Sequence, residues 1–91
     1  MKKSMRLFLT GSVQSVFFDE FIKKNAEQLN VRGFVRTMED GRKEIFLEGD
    51  NTAVDAMNQI CRKGDKHTVI RNVDEKMDRF QDFKDFRVMK I

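Results

Sequence analysis

The sequence contains no proline, tryptophan or tyrosine, and it has only one cysteine and one histidine. A single cysteine excludes a disulfide within the chain, and no histidine, cysteine and carboxylate residues have the spacing of a metal site. No apolar run approaches the roughly 20 residues that a membrane-spanning helix needs, and the charged first residues do not lead into the apolar segment of a signal peptide. We therefore expect a cytoplasmic protein in a reducing compartment, with no metal or other cofactor.

The residues that are present describe one small globular domain, which we assign to residues 1–91. Hydrophobic residues make up 40% of the chain and charged residues 36%, and nine phenylalanines supply all of its aromatic side chains. This balance is typical of a folded domain rather than a disordered chain, and we expect the phenylalanines to supply much of its core. The net charge of +3 permits an anionic partner but does not require one.

The first half of the chain predicts a strand, a helix and a hairpin. Apolar residues alternate over residues 5–10, which predicts a strand. Apolar residues then recur at helical spacing at Phe18, Phe21, Ile22, Ala26 and Leu29. Two further strands, residues 34–38 and 43–48, are joined by an Asp40-Gly41 pair that favours a hairpin turn, so we expect them to be antiparallel partners.

The second half predicts a helix and one or two more strands. A helical apolar face spans residues 53–61, and residues 68–73 read as a strand. Residues 74–82 are mostly polar and predict a loop, after which Phe83, Phe86 and Val88 suggest a short last strand. The order βαββαβ predicts a ferredoxin-like α+β sandwich, with one antiparallel sheet of four to five strands and two helices on one face.

The loop between the first strand and the first helix is the best candidate for a binding site. A glycine closes the strand, a short polar loop follows, and a helix begins. Backbone N–H groups at a helix N-terminus lack partners and carry positive partial charge, so such a loop can hold a phosphate or a carboxylate.

This loop also carries a family pattern. It reads Gly11-Ser12-Val13-Gln14-Ser15-Val16-Phe17-Phe18-Asp19, and further along the chain are Gly33-Phe34-Val35-Arg36-Thr37, Asp40-Gly41 and Glu48-Gly49. On these residues the sequence resembles the acylphosphatases, whose pattern is close to G-x-V-Q-G-V-x-F-R followed, after a helix, by G-[WF]-V-x-N. The spacing matches without a gap, and the resemblance covers nearly the whole chain.

The resemblance implies a specific chemistry, from which this sequence departs. Acylphosphatases hydrolyse carboxyl-phosphate mixed anhydrides without a metal or a covalent intermediate. In that family the loop backbone and the arginine hold the phosphate, and the asparagine orients the attacking water. Asp19 and Thr37 stand at those two positions here, and Ser15 replaces a loop glycine. The residues that the resemblance assigns to the phosphate loop are Ser12, Val13, Gln14, Ser15, Val16, Phe17 and Phe18.

Asp19 admits three interpretations. An acidic side chain in the first turn suits the helix dipole by about 0.3–1 kcal/mol, and it can pair with Lys23 at i+4. A second interpretation is a rewired site for a cation or an amine. A third is residual catalysis in which Arg36 or Arg6 replaces the missing arginine, although strand alternation points Arg36 to the other sheet face.

A different class of function, single-stranded nucleic-acid binding, has some support. RNA-recognition domains share the βαββαβ order and stack bases on aromatic residues of the first and third strands. Phe8 and Phe46 alternate away from the helix-facing residues, as such a platform requires. The third strand lacks the glycine-aromatic pattern of those domains and carries Glu44 and Glu48, which argues against nucleic acid as a partner.

The remaining reactive residues indicate structure rather than chemistry. His67 lies in a polar segment without another histidine or cysteine, so we interpret it as a loop residue. Cys61 lies on the apolar face of the second helix and is expected in the core. The acidic residues from Asp74 to Asp78 are expected in a solvated loop.

Together these patterns favour an acylphosphatase-like domain that has lost ordinary acyl phosphate hydrolysis. A small binding or scaffold domain with an unidentified protein partner is then the default function. The alternatives are a weak acylphosphatase that uses the loop of residues 12–19 and a domain that binds single-stranded nucleic acid on the open sheet face. A small anion held weakly at the loop remains a candidate ligand, and we expect no membrane association.

Overall fold

Seven elements follow one another along the chain in a computed structural model, which describes residues 1–89. The elements are β1 (Lys2–Ser12), α1 (Val16–Gln28), β2 (Arg32–Thr37), β3 (Lys43–Asp50), α2 (Asn51–Lys63), β4 (Val69–Met77) and β5 (Phe86–Met89). The predicted βαββαβ order and its additional last strand are therefore confirmed. Neither helix is long and apolar enough to cross a membrane.

The five strands form one sheet in the order β4-β1-β3-β2-β5. The pairs β1–β3, β1–β4 and β2–β3 are antiparallel, as the sequence predicted. The β2–β5 pair is parallel, which corrects the expectation of a purely antiparallel sheet. The reason is topological: the chain leaves β4 at one edge, reverses direction and reaches the opposite edge, where it runs alongside β2.

Strand alternation separates a helix-covered face of the sheet from an open face. Inward residues of the first three strands pack with apolar residues of both helices in a single core, which includes Leu7, Val35, Ile45, Phe18 and Met57. Because residues of both helices belong to this one core, both helices cover the same face of the sheet.

The segment of residues 78–85, which follows β4, crosses the open face, and we call it the crossing segment. Glu48 accepts N–H groups from Gln81, at 2.7 Å, and from Phe83. The Phe83 ring packs against Phe34 and Phe46, with centroids 5.7 and 5.6 Å away. The predicted loop over residues 74–82 is correct only from residue 78, because the polar residues before it extend β4 at the sheet edge.

Gly33, in the motif Gly33-Phe34-Val35, is required by a close approach between strands. Its φ is +140°, and a Cβ built there would lie 1.9 Å from the carbonyl oxygen of Phe46. No side chain fits at that distance, so this glycine allows β2 to pack tightly against β3.

Candidate functional site

The loop that precedes α1 supplies hydrogen-bond acceptors for the first backbone N–H groups of that helix. Ser15 is the N-cap residue: its Oγ accepts the N–H of Phe17 at 3.0 Å, and its carbonyl accepts the N–H of Phe18 at 3.1 Å. These are amide groups that a bound anion at the helix start would use. A ligand would therefore compete with the Ser15 hydroxyl for the Phe17 amide.

The same loop is held against the β2–β3 turn. The side-chain amide of Gln14 donates to the carbonyl of Gly41 at 3.3 Å. Gly41 has a φ of +90°, and a Cβ there would lie 2.6 Å from Gln14 Nε2. The positive φ of the turn favours glycine here, whereas the Gln14 side chain could move to accommodate a Cβ.

An open depression of about 460 Å³ lies beside the loop. It is lined by Gly11, Ser12, Val13, Gln14, Ser15 and His67. The His67 ring lies 5.3 Å from the ring of Phe17, measured between centroids. The histidine that the sequence placed in an ordinary loop therefore forms part of the wall of the candidate site.

Asp19 points from the first turn of α1 towards the start of β3. Its Oδ1 lies 2.7 Å from Nζ of Lys43. The predicted partner Lys23 is replaced by Lys43, because the side chain of Asp19 is turned to the sheet and is only 16% exposed. Lys43 is completely buried. The ion pair therefore joins α1 to β3 in the interior and is not a solvated surface pair.

Thr37 belongs to the same cluster. It lies directly opposite Lys43 in the β2–β3 register, and Lys43 Nζ donates to its Oγ1 at 2.6 Å. The structure thus brings together the two positions that the sequence singled out, Asp19 and Thr37, through the ammonium of Lys43. Oδ1 of Asp19 is shielded from solvent and forms no contact with hydrogen-bond geometry in residues 1–89, so its contact with Lys43 is ionic.

Lys43 is the site residue that sequence reasoning missed. It shares a face of β3 with Ile45 and Leu47, both of which belong to the core. A lysine at an inward position of a strand is rarely buried without a partner of opposite charge. The alternation of Lys43 with Ile45 and Leu47 could therefore have indicated from the sequence that this lysine is buried and paired.

A second depression of about 330 Å³ leads to this cluster from outside. Its walls are formed by Gln14, Val16, Asp19, Thr37, Met38, Val88 and Met89. Three of these residues are polar and four are apolar. The lining includes Asp19 and Thr37 but not Lys43, so a small molecule in this depression would lie against the first two residues.

Neither of the candidate replacement arginines reaches the cluster. Arg6 and Arg36 both pair with Glu44, on the open face of the sheet, and Arg6 also pairs with Asp78 at 2.7 Å. Burial acts to lower the pKa of Arg6, but hydrogen bonds to Asp78 and Glu44 outweigh it and raise the pKa. Both guanidinium groups are thus engaged on the face opposite to Asp19.

The cysteine and the two phenylalanines that the sequence also raised as candidates lie in surroundings that favour a structural role. Burial raises the pKa of the Cys61 thiol far above its ordinary range, so this core residue is not a thiolate nucleophile. Phe46, half of the proposed stacking platform, is completely buried. Phe8 has the cations of Arg42 and Lys76 over its ring, at 5.1 and 5.7 Å. Residues 1–89 contain no group of three His, Cys, Asp or Glu side chains that could hold a metal ion.

Comparison with known proteins agrees with the geometry. The protein-family model for acylphosphatase matches residues 5–88. An acylphosphatase from Syntrophus aciditrophicus is 33% identical over 98% of this chain and 94% of its own length. The chain belongs to the acylphosphatase family. An acylphosphatase from Rubrobacter xylanophilus is 39% identical over 79% of this chain and 66% of its own length.

Solved structures of acylphosphatases share the fold. The acylphosphatase from Coxiella burnetii superimposes with a TM-score of 0.89 and 27% identity, and the match covers 97% of this chain and 93% of that one. The resemblance stated from the loop and strand motifs is therefore confirmed, as is the ferredoxin-like fold. Asp19 and Thr37, which the resemblance sets at the arginine and asparagine positions, both contact Lys43.

Proposed function

We propose that this acylphosphatase-family domain has lost ordinary acyl phosphate hydrolysis and acts as a small cytoplasmic binding or scaffold domain for a protein partner. The observation that carries the proposal is the buried ion pair between Asp19 and Lys43 at the position of the family's phosphate-binding arginine. The single buried Cys61 is compatible with a reducing compartment.

The charge at this position opposes phosphate binding. A carboxylate about 4 Å from a phosphate charge is repelled by roughly 4 kcal/mol at an effective dielectric constant near 20. Lys43 offsets part of this repulsion, but the Asp19–Lys43 pair still offers a phosphate no net positive charge, in contrast to the arginine of the family pattern. The loss of one preorganised donor at developing charge typically reduces the rate about 10²–10³-fold, before the repulsion is counted.

The two other substitutions act in the same direction. Oγ1 of Thr37 already accepts a hydrogen bond from Lys43, and a hydroxyl lacks the fixed donor and acceptor of an amide. The hydroxyl of Ser15 occupies the Phe17 amide at the helix start. Each change removes one interaction that the resemblance assigns to phosphate or water.

A second candidate function is weak acyl phosphate hydrolysis by the loop of residues 12–19. The open depression beside residues 11–15 favours it, because a small acyl phosphate fits a space of about 460 Å³. In that case, phosphate would be held by loop amides without a guanidinium. Binding of single-stranded nucleic acid receives no comparable support, since Phe46 is buried under the crossing segment.

The test is hydrolysis of benzoyl phosphate by the native protein. We expect no turnover beyond the uncatalysed rate, and turnover equal to that of an ordinary acylphosphatase would refute the proposal. A slow rate that saturates with substrate would establish the second candidate.

A gain-of-function variant completes the test. Asp19→Arg with Thr37→Asn restores the two family side chains, and Lys43→Val removes the ammonium that would repel the new guanidinium. We expect this variant to hydrolyse benzoyl phosphate at least 100-fold faster than the native protein. Glu20→Arg is the matched control, because it introduces the same charge at an exposed neighbouring position of α1.

A further inference from the structure

The Asp19 carboxylate makes an ionic contact with a buried ammonium, as a bound oxyanion would. On one side lies a completely buried ammonium, and Thr37 is hydrogen-bonded to that ammonium at 2.6 Å. The Asp19 carboxylate lies 2.7 Å from the same nitrogen and enters from α1 as a tethered group. Asp19 also forms part of the wall of the depression that leads to this point.

We propose that Lys43 and Thr37 form an oxyanion site that the native protein fills with its own Asp19 carboxylate. Removal of that carboxylate opens the site to a small oxyanion of the phosphate or carboxylate class. The inference rests on the proposed function insofar as both place Asp19 where phosphate would otherwise bind. It goes further by assigning the binding cation to Lys43, which the family pattern does not include.

Lys43 suits this role because its buried ammonium takes its opposite charge from Asp19. A buried ammonium without an opposite charge is strongly unfavourable, so an anion that replaces Asp19 would gain the interaction that Asp19 now has. One ammonium hydrogen goes to Thr37. A lysine ammonium has three hydrogens, which leaves two for an oxyanion.

The tether explains why the native protein would exclude external anions. A group held on the same chain competes at an effective concentration that is at least millimolar and is far higher when the geometry is fixed. Phosphate at ordinary solution concentrations therefore does not displace Asp19. Truncation of Asp19 removes the competitor and leaves a space of the size of a carboxylate.

The experiment measures thermal unfolding of Asp19→Ala as inorganic phosphate is added, with sodium chloride adjusted to hold the ionic strength constant. Ligand that binds the folded state alone raises the melting temperature in proportion to ln(1 + [L]/Kd). For a chain of this size we expect a rise on the order of 10 °C when phosphate is a hundredfold above its dissociation constant. A parallel titration with sodium acetate distinguishes phosphate from carboxylate as the preferred anion.

Three comparisons assign the shift to Lys43. The native protein and Glu20→Ala, which loses an exposed carboxylate from the same helix, should show at most one tenth of it. Asp19→Ala combined with Lys43→Met should lose it. Asp19→Asn should also lose it, because the amide fills the space that the anion needs.

The proposal is overturned if Asp19→Ala responds to neither anion, or if its response survives Lys43→Met. Should Asp19→Ala be unfolded in the absence of anions, the same titration is followed by recovery of the helical circular dichroism signal, and no recovery also overturns it. The readout is binding, so it is separate from the benzoyl phosphate assay. Native hydrolysis would refute the proposed loss of activity without changing the meaning of the anion response.

Discussion

Lys43 is the residue on which the stability of the candidate site depends. Its side chain is completely buried, and Asp19 supplies the neutralising charge. Removing one partner of a buried ion pair usually destabilises a protein by about 3–5 kcal/mol, because the other charge remains buried. We therefore expect Lys43→Met to lower the free energy of unfolding by roughly 3 kcal/mol in urea denaturation, at the low end because Asp19 retains some exposure.

Two variants show whether the cost of Lys43→Met comes from the unpaired charge. Lys84→Met breaks a pair with Asp82 whose side chains are 79% and 71% exposed, and we expect a change of less than about 1 kcal/mol. Asp19→Leu added to Lys43→Met should restore most of the stability, because both charges are then absent. A Lys43→Met protein as stable as the native one would contradict the buried pair.

The sequence located two residues of this site but not their partner. Asp19 and Thr37 were singled out by the family resemblance, as the residues at its arginine and asparagine positions. The contact between Asp19 and Lys43 could not be read from local spacing, which favoured Lys23 one turn along the same helix. The direction of the Asp19 side chain is decided by how α1 packs on the sheet, and that is a tertiary property.

The crossing segment is the element that closes the open face of the sheet, and Glu48 holds it. The buried Glu48 carboxylate accepts two backbone N–H groups, from Gln81 and Phe83. Glu48→Gln places an amide N–H₂ against one of them, and an unsatisfied buried donor costs about 1–3 kcal/mol. We expect a loss of that size, with faster hydrogen exchange at the amides of Gln81 and Phe83.

Glu39→Gln is the matched control for this element, since it makes the same chemical change at an exposed position in the β2–β3 turn. It should leave stability and exchange unchanged. If Glu48→Gln accelerates exchange equally throughout the sheet, the carboxylate stabilises the whole fold rather than the crossing segment.

At the scale of elements, periodicity predicted the helices and the hairpin, but it could not predict the crossing segment. The pattern of Phe8 and Phe46 correctly placed these rings on the face away from the helices. Whether that face stays open depends on where residues 78–85 run, and no short-range pattern encodes their path. The parallel β2–β5 pair follows from the same path.

For the molecule as a whole, the family resemblance predicted the architecture because its motifs mark the close approaches of the fold. Gly33 is required where β2 meets the backbone of β3, and the positive φ of the β2–β3 turn favours Gly41. Glycine is needed at such positions for the backbone geometry, whether or not the candidate site is active. The side chains at the site are free of that constraint, which is why the fold could be retained while Asp19, Thr37 and Ser15 departed from the pattern.

The acid stability of the whole domain should depend on the ion pairs at its open face. A hydrogen bond from Arg6, followed by the N–H of Arg79, holds the pKa of Asp78 below its ordinary value. A carboxyl group with a lowered folded-state pKa stabilises the protein above its unfolded-state value of about 4, and this contribution is lost as the pH falls through the folded-state value. The free energy of unfolding should therefore be level for this group from pH 7 to about 5 and decline below about 4.

Asp78→Asn should make that acid decline shallower, since the variant has no carboxylate to protonate. Asp40 contributes a second, local decline, because the backbone N–H and guanidinium of Arg42 lower its pKa at the β2–β3 turn. Hydrogen exchange separates the two: below pH 4 the amides of Gln81 and Phe83 should lose protection in the native protein, and Asp40→Asn should not prevent this loss. An acid profile unaltered by Asp78→Asn would show that the Arg6–Asp78 pair does not hold the crossing segment in place.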